Sequence, residues 1–151
     1  RDTVVLAGFG EFGQSILEQL ERHASGKFSR VAIVDRGAEQ QALIADEQVE
    51  TERTYSRHTY EGDVDDPEVW QRLFSEVVIG DEEPLFVITT GDDLTNLRCA
   101  IWLRKQFPSA LIISRTLAPS AFAQGVCDQH DLVSVNTAQM VQASIPHAWY
   151  R

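Results

Sequence analysis

Cysteine and lysine are scarce in this 151-residue chain: Cys99, Cys127, Lys27 and Lys105 are all there are of them. The two cysteines show no CxxC spacing and no nearby histidine pair, which speaks against a disulfide framework or a zinc site and fits a reducing compartment. Long apolar runs are also missing, and a membrane span needs roughly 20 such positions. Arg1 opens directly in strand-like sequence, without the ordered charged, apolar and small-residue sections of a signal peptide, as though cut from a longer protein. Basic charge is in deficit: 13 Lys and Arg against 23 Asp and Glu give a net charge of −10. Such a surface repels phosphate backbones and excludes general nucleic-acid binding.

What is present is the composition of an ordinary globular protein, 43% hydrophobic and 24% charged, at a length suited to one domain. The negative charge is concentrated. Eleven acids and a single base, Arg72, lie between Glu61 and Asp93, and the remainder of the chain is balanced.

Apolar runs alternate with helical patterns from the first residue onward, which predicts an α/β fold: a doubly wound, mostly parallel six-stranded sheet with helices on both faces. Strands are expected at Thr3–Ala7, Arg30–Asp35, Arg57–Glu61, Leu85–Thr90, Ala110–Arg115 and Asp131–Val135. The third is polar at alternate positions and suits a sheet edge, whereas the first, second, fourth and fifth are runs of the kind buried on both faces. Phe12, Ile16, Leu17 and Leu20 form one helical face, with Gly26 as terminator. Asp66-Pro67-Glu68 carries a cap, a first-turn proline and a carboxylate at the positive helix end, and Gly80 is placed to close that helix. Leu94, Leu97, Ile101, Trp102 and Leu103 predict a further helix stopping at Phe107-Pro108, and a last short one is expected from Asn136 to before Pro146. Trp149-Tyr150 reads as exposed.

Gly8-Phe9-Gly10-Glu11-Phe12-Gly13 is a G-x-G-x-x-G motif that follows a strand and opens a helix, the context of a Rossmann-like dinucleotide fold. In that setting the first glycine permits a tight turn, the second lets a pyrophosphate approach the backbone, and the third allows helix–strand packing. Free amides at the helix start would face phosphate. Asp35 ends the second strand, 22 positions after Gly13, where a carboxylate can bond the hydroxyls of an adenosine ribose. Glu11 places negative charge beside the phosphate cradle, and Arg36 either stacks on adenine or balances charge.

Thr89-Thr90-Gly91-Asp92-Asp93 leaves the fourth strand at the carboxyl rim where open α/β sheets bind ligands. Thr90 and Gly91 are candidates for a ribose or nicotinamide-side contact, and Asp93 for capping the next helix. Gly62-Asp63-Val64 and Arg115 reach the same rim, Arg115 either toward a ligand or into a salt bridge. Asp63, Asp65, Asp66, Asp92 and Asp93 gather there, so Asp63, Asp92 and Asp93 are weak candidates for a divalent cation such as Ca2+. Asp81, Glu82 and Glu83 fall at the opposite edge. No Tyr-x-x-x-Lys or G-x-S-x-G pattern occurs, and His23, His58, His130 and His147 are scattered. No catalytic residue is expected, and the chain is read as no enzyme.

Ala7-Gly-Phe-Gly-Glu-Phe-Gly-Gln14, Val34-Asp35, Gly62-Asp63-Val-Asp-Asp-Pro67, Thr90-Gly-Asp-Asp-Leu-Thr-Asn-Leu97 and Ile112-Ile-Ser-Arg115 together resemble the N-terminal (TrkA-N) domain of the RCK/KTN family, regulatory domains of potassium channels and transporters. The likeness runs over nearly the whole chain, and residues 1–151 are read as a single such domain. It implies a cytosolic ligand-sensing domain on the cytoplasmic side of the cell membrane, part of or bound to a membrane protein. A homo-oligomer is implied too, a dimer or a ring of eight domains beneath a pore. The implied ligand is NAD(H), ATP, ADP or AMP, surrounded by Gly8, Phe9, Gly10, Phe12, Asp35, Arg36, Asp63, Val64, Thr90, Gly91 and Asn96. Many members carry Arg where this chain has Glu11, so a weaker or nucleoside-like ligand is also implied. The competing readings are a cation-sensing or ligand-free domain acting through protein contacts, and a fragment of an NAD-dependent oxidoreductase.

Overall fold

The computed structural model describes residues 1–47, 53–77, 82–136 and 149. Six strands form one sheet: β1 (Thr3–Ala7), β2 (Arg30–Asp35), β3 (Ser56–Glu61), β4 (Leu85–Ile88), β5 (Leu111–Thr116) and β6 (Val133–Asn136). Among the described residues five helices connect them: α1 (Glu11–His23), α2 (Ala38–Glu47), α3 (Pro67–Glu76), α4 (Asp93–Gln106) and α5 (Ala121–Gln129). The strand order is β3-β2-β1-β4-β5-β6, and every neighbouring pair is parallel. The order reverses between β1 and β4, and the crevice above that point is where such sheets take ligands.

Alternation along the strands divides the core between the two faces of the sheet. Val4 and Leu6 of β1 join Ile16, Leu17 and Leu20 of α1 and Ala38 and Ala42 of α2. Val5 and Ala7 point the other way, to Val69, Trp70 and Leu73 of α3, Ala100 and Leu103 of α4, and Cys127 of α5. β1, β2 and β4 lie inside the sheet and are buried on both faces, hence their unbroken aliphatic sequences. β3 lies at the edge, as its alternating polarity predicts, and only Tyr60 in it is fully covered.

The helix ends follow local chemistry. Asp66 caps α3 by accepting from the Glu68 amide, with Pro67 at the first helical position where its missing N–H is no loss. Ser120 caps α5 by accepting from the Ala123 amide. Gly26 adopts φ +81° in the turn after α1.

Several expectations are corrected. β4 ends at Ile88, two residues early, which releases Thr89 and Thr90 into the rim. α4 buries Asn96, Cys99, Ala100 and Leu103, while Leu94, one of the apolar residues that predict the helix, is 58% exposed. Apolar residues surround this helix almost completely, so their spacing defines no single face. Asn136 closes β6, and the helix expected to follow from it, like Gly80, lies outside the described residues. Trp149 packs into the core at 3% exposure. Among the described residues no helix is long and apolar enough to cross a membrane.

Candidate functional site

A cavity of about 660 Å³ opens at the carboxyl ends of the strands, in the size range of small-molecule sites. Gly8, Gly10, Glu11 and Phe12 form one wall, Asp35 and Arg36 a second, Gly62, Asp63 and Val64 a third, and Thr90, Gly91 and Arg115 the fourth. The motifs expected to meet do meet here.

The three motif glycines have different reasons to be glycine. Gly8 has φ +95°, and a Cβ on it would lie 3.0 Å from the Thr89–Thr90 peptide. On Gly13 a Cβ would come within 2.6 Å of the Gly8 carbonyl oxygen, so the third glycine brings α1 against the loop after β1. A Cβ on Gly10 would meet nothing within 4 Å, and its φ of −74° suits any residue. Gly10 is one of the residues that line the cavity.

Asp35 organises this corner. Its Oδ2 accepts the Phe9 amide at 2.8 Å and its Oδ1 the Gly37 amide at 2.9 Å. The Gln41 amide, turned so that its nitrogen faces these acceptors, adds a donor to Oδ1 at 3.1 Å. Asp35 thus ties the glycine loop to the end of β2, and it still lines the cavity. Arg36 pairs with Asp63 across the ends of β2 and β3, and its side chain is 81% exposed. The guanidinium holds the Asp63 carboxyl below the usual carboxylate range, helped by the Asp65 amide, and the carboxylate raises Arg36 in turn. This pairing gives Arg36 a charge-balancing role.

Arg115 lies over the Phe12 ring, 4.6 Å from its centroid, and donates to the Thr89 carbonyl at 3.4 Å. Val64 lines the cavity while its carbonyl accepts the Trp70 indole N–H at 2.9 Å.

Two expected ligand contacts are relocated. The Phe9 side chain is fully buried in the core, so only its backbone belongs to the site. Asn96 is also fully buried and does not line the cavity. Its Oδ1 accepts the Thr90 amide at 3.0 Å, and its Nδ2 donates to the carbonyls of Thr90 at 3.1 Å and Arg115 at 3.0 Å. Asn96 positions the β4 loop against the end of β5.

The carboxylates considered for a cation are engaged separately. Asp92, not Asp93, caps α4, accepting from the Leu94 amide at 3.4 Å and the Thr95 hydroxyl at 2.7 Å. The Thr95 hydrogen bond is the main reason its carboxyl is held below the usual range. Asp93 turns away and accepts the amides of Leu117 and Ala118 at 2.7 and 2.9 Å. Among the described residues no three His, Cys, Asp or Glu side chains form a group able to hold a metal ion. Gln41 and Thr95 join the cavity lining without having been expected there. Gln41 belongs to a helix whose pattern gives no clear signal, and Thr95 is visible only as the residue three beyond the Asp92 cap.

The sequence of residues 4–126 matches the TrkA-N domain. The chain belongs to the TrkA-N domain family. No curated protein matches it. A similar solved structure is the dTDP-glucose 4,6-dehydratase of Bacillus anthracis str. Ames in complex with NAD, with a TM-score of 0.60 and 10% identity. The match covers 90% of this chain and 54% of the dehydratase, so the TrkA-N domain spans about half of that enzyme's length. At that identity the likeness shows the Rossmann-type fold. The TrkA-N domain carries its glycine loop on the same kind of parallel sheet, with the loop turned to the crevice above β1 and β4.

Proposed function

We propose that this TrkA-N domain is a ligand-sensing regulatory module that binds an adenine nucleotide at the carboxyl rim and so controls a potassium channel or transporter. The observation that carries the reading is Gly10. Packing within the chain accounts for Gly8 and Gly13, whereas a side chain on Gly10, which lines the cavity, would meet no other atom of the chain within 4 Å. A residue kept small beside an open cradle, at the start of a helix whose amides face it, suits a bound group that approaches the backbone.

Family membership supports the regulatory role, and the resemblance supplies the partners: a potassium-conducting membrane protein, with the domain on its cytoplasmic side, and further copies of the domain in pairs or rings. A ligand in this crevice touches loops after β1, β2, β3 and β4, and it drives a change only by binding one arrangement of the paired domains better than another. Among the described residues the lining carries no Lys, His, Cys, Tyr or Ser side chain.

Thermal melting with NADH, ATP, ADP and AMP, and with Ca2+ as the competing ligand, tests the reading. A nucleotide at a hundredfold excess over its Kd adds about 2.7 kcal/mol, or about 5–11 °C for a domain of this size. Gly10→Asn keeps a favourable helix cap and fills the cradle, and should abolish the rise while leaving the unliganded midpoint nearly unchanged. If no nucleotide at millimolar concentration moves the midpoint and Ca2+ does, cation sensing replaces this reading.

A further inference from the structure

We propose that Glu11 makes the cavity selective for adenosine-type ligands carrying at most one phosphate, against nucleoside di- and triphosphates and dinucleotides. The inference rests on the nucleotide-binding reading and narrows its ligand class. Five carboxylates line the cavity, Glu11, Asp35, Asp63, Asp65 and Asp92, against two guanidiniums, Arg36 and Arg115. Arg36 is paired with Asp63, and Arg115 is stacked on Phe12. No lysine faces the cavity.

Four of the five carboxylates are held. Asp35 has the Phe9 and Gly37 amides, Asp63 has Arg36, Asp65 lies 3.6 Å from Arg98, and Asp92 has the Leu94 amide and Thr95. Glu11 is exposed, and among the described residues its side chain has no hydrogen bond or ion pair. It is the first residue of α1, next to Gly10, where the positive end of the helix favours an anion. The chain therefore supplies its own negative charge at the place a diphosphate would occupy.

Rotation away from the cavity brings Glu11 no counter-charge. On its other side a groove of about 500 Å³ is lined by Glu18, Glu21, Asp46 and Arg57. There Arg57 is bound to Asp46, and Glu18 and Glu21 are taken by Arg22 and the Tyr55 hydroxyl. Glu11 stands between two acidic surfaces, and each added phosphate charge meets repulsion from it. Adenosine, held by the Asp35 side of the cavity, escapes that repulsion.

Calorimetric titration of adenosine, AMP, ADP, ATP and NADH into the wild-type chain, Glu11→Gln and Glu11→Arg, with EDTA present, tests this. The wild type should bind AMP about tenfold more tightly than ADP or ATP, a difference of about 1.4 kcal/mol. Glu11→Gln should narrow that gap, Glu11→Arg should invert the order, and adenosine should bind all three alike. Because Glu11 is exposed, added salt should shrink the wild-type gap. An order left unchanged by both substitutions, or wild-type binding of ADP, ATP or NADH tighter than AMP, overturns the proposal. If none of the five ligands binds any variant, the nucleotide reading itself fails and this one with it.

Discussion

The Asp35 carboxylate accepts the Phe9 backbone amide at 2.8 Å, so the last residue of β2 holds the loop that follows β1. The bond explains why an acid at this position matters before any ligand arrives. Phe9 is anchored twice, by its ring in the core and by its amide on Asp35, and between these anchors and Gly13 the chain has one path past the cavity.

Removal of that carboxylate should therefore be felt in two measurements. Asp35→Ala leaves the partly buried amides of Phe9 and Gly37 without their acceptor, and the unliganded domain should lose about 1–3 kcal/mol in urea unfolding. The nucleotide-induced rise in melting temperature should vanish as well. Asp35→Asn keeps one acceptor oxygen and should recover part of the stability but little of the rise.

Asn96 is the clearest case of a site residue that acts through others. Its amide holds three backbone groups of Thr90 and Arg115 from a fully buried position. Asn96→Ala strands those groups and should destabilise the domain by about 3 kcal/mol in urea unfolding. Asn96→Asp keeps the shape but replaces a donor to two carbonyls by a carboxylate, and should do at least as much damage. Both should weaken nucleotide binding only as far as the Thr90 loop is displaced.

Acid stability should depend on Asp46, which joins α2 to β3 through Arg57. Its hydrogen bond to Arg57 holds the Asp46 carboxyl below the ordinary value, while Arg57 is raised. A depressed folded pKa means stability that is present above the unfolded value of about 4 and lost as pH falls through the folded one. Asp46 is partly exposed, so the contribution should be no more than about 1 kcal/mol. Asp46→Asn should lower stability at neutral pH and flatten the loss that sets in below about pH 4, as read from denaturation curves across pH.

The fold was legible because its strands are chemically extreme. Runs such as Val4-Val5-Leu6-Ala7 and Val31-Ala32-Ile33-Val34 have few alternatives to a strand buried on both faces, and the glycine motif fixed where the first helix begins. α4 was legible as a helix but not in its orientation, since a polar residue, Asn96, occupies its buried face to satisfy loops distant in sequence. The exchange of roles between Asp92 and Asp93 has the same origin: either can cap, and the amides of Leu117 and Ala118 decide which does. Phe9 was assigned to the ligand by its place in the motif, whereas its ring serves the core. In each case the deciding partner comes from another element, where periodicity carries no information.

The most direct test is an NMR titration of the 15N-labelled domain with AMP. The account predicts amide shifts centred on Gly8–Phe12, Asp35–Gly37, Gly62–Asp65 and Thr89–Asp92, with Gln41, Thr95 and Arg115, the residues around the cavity. No shift at millimolar AMP, or shifts centred on another surface, would contradict it.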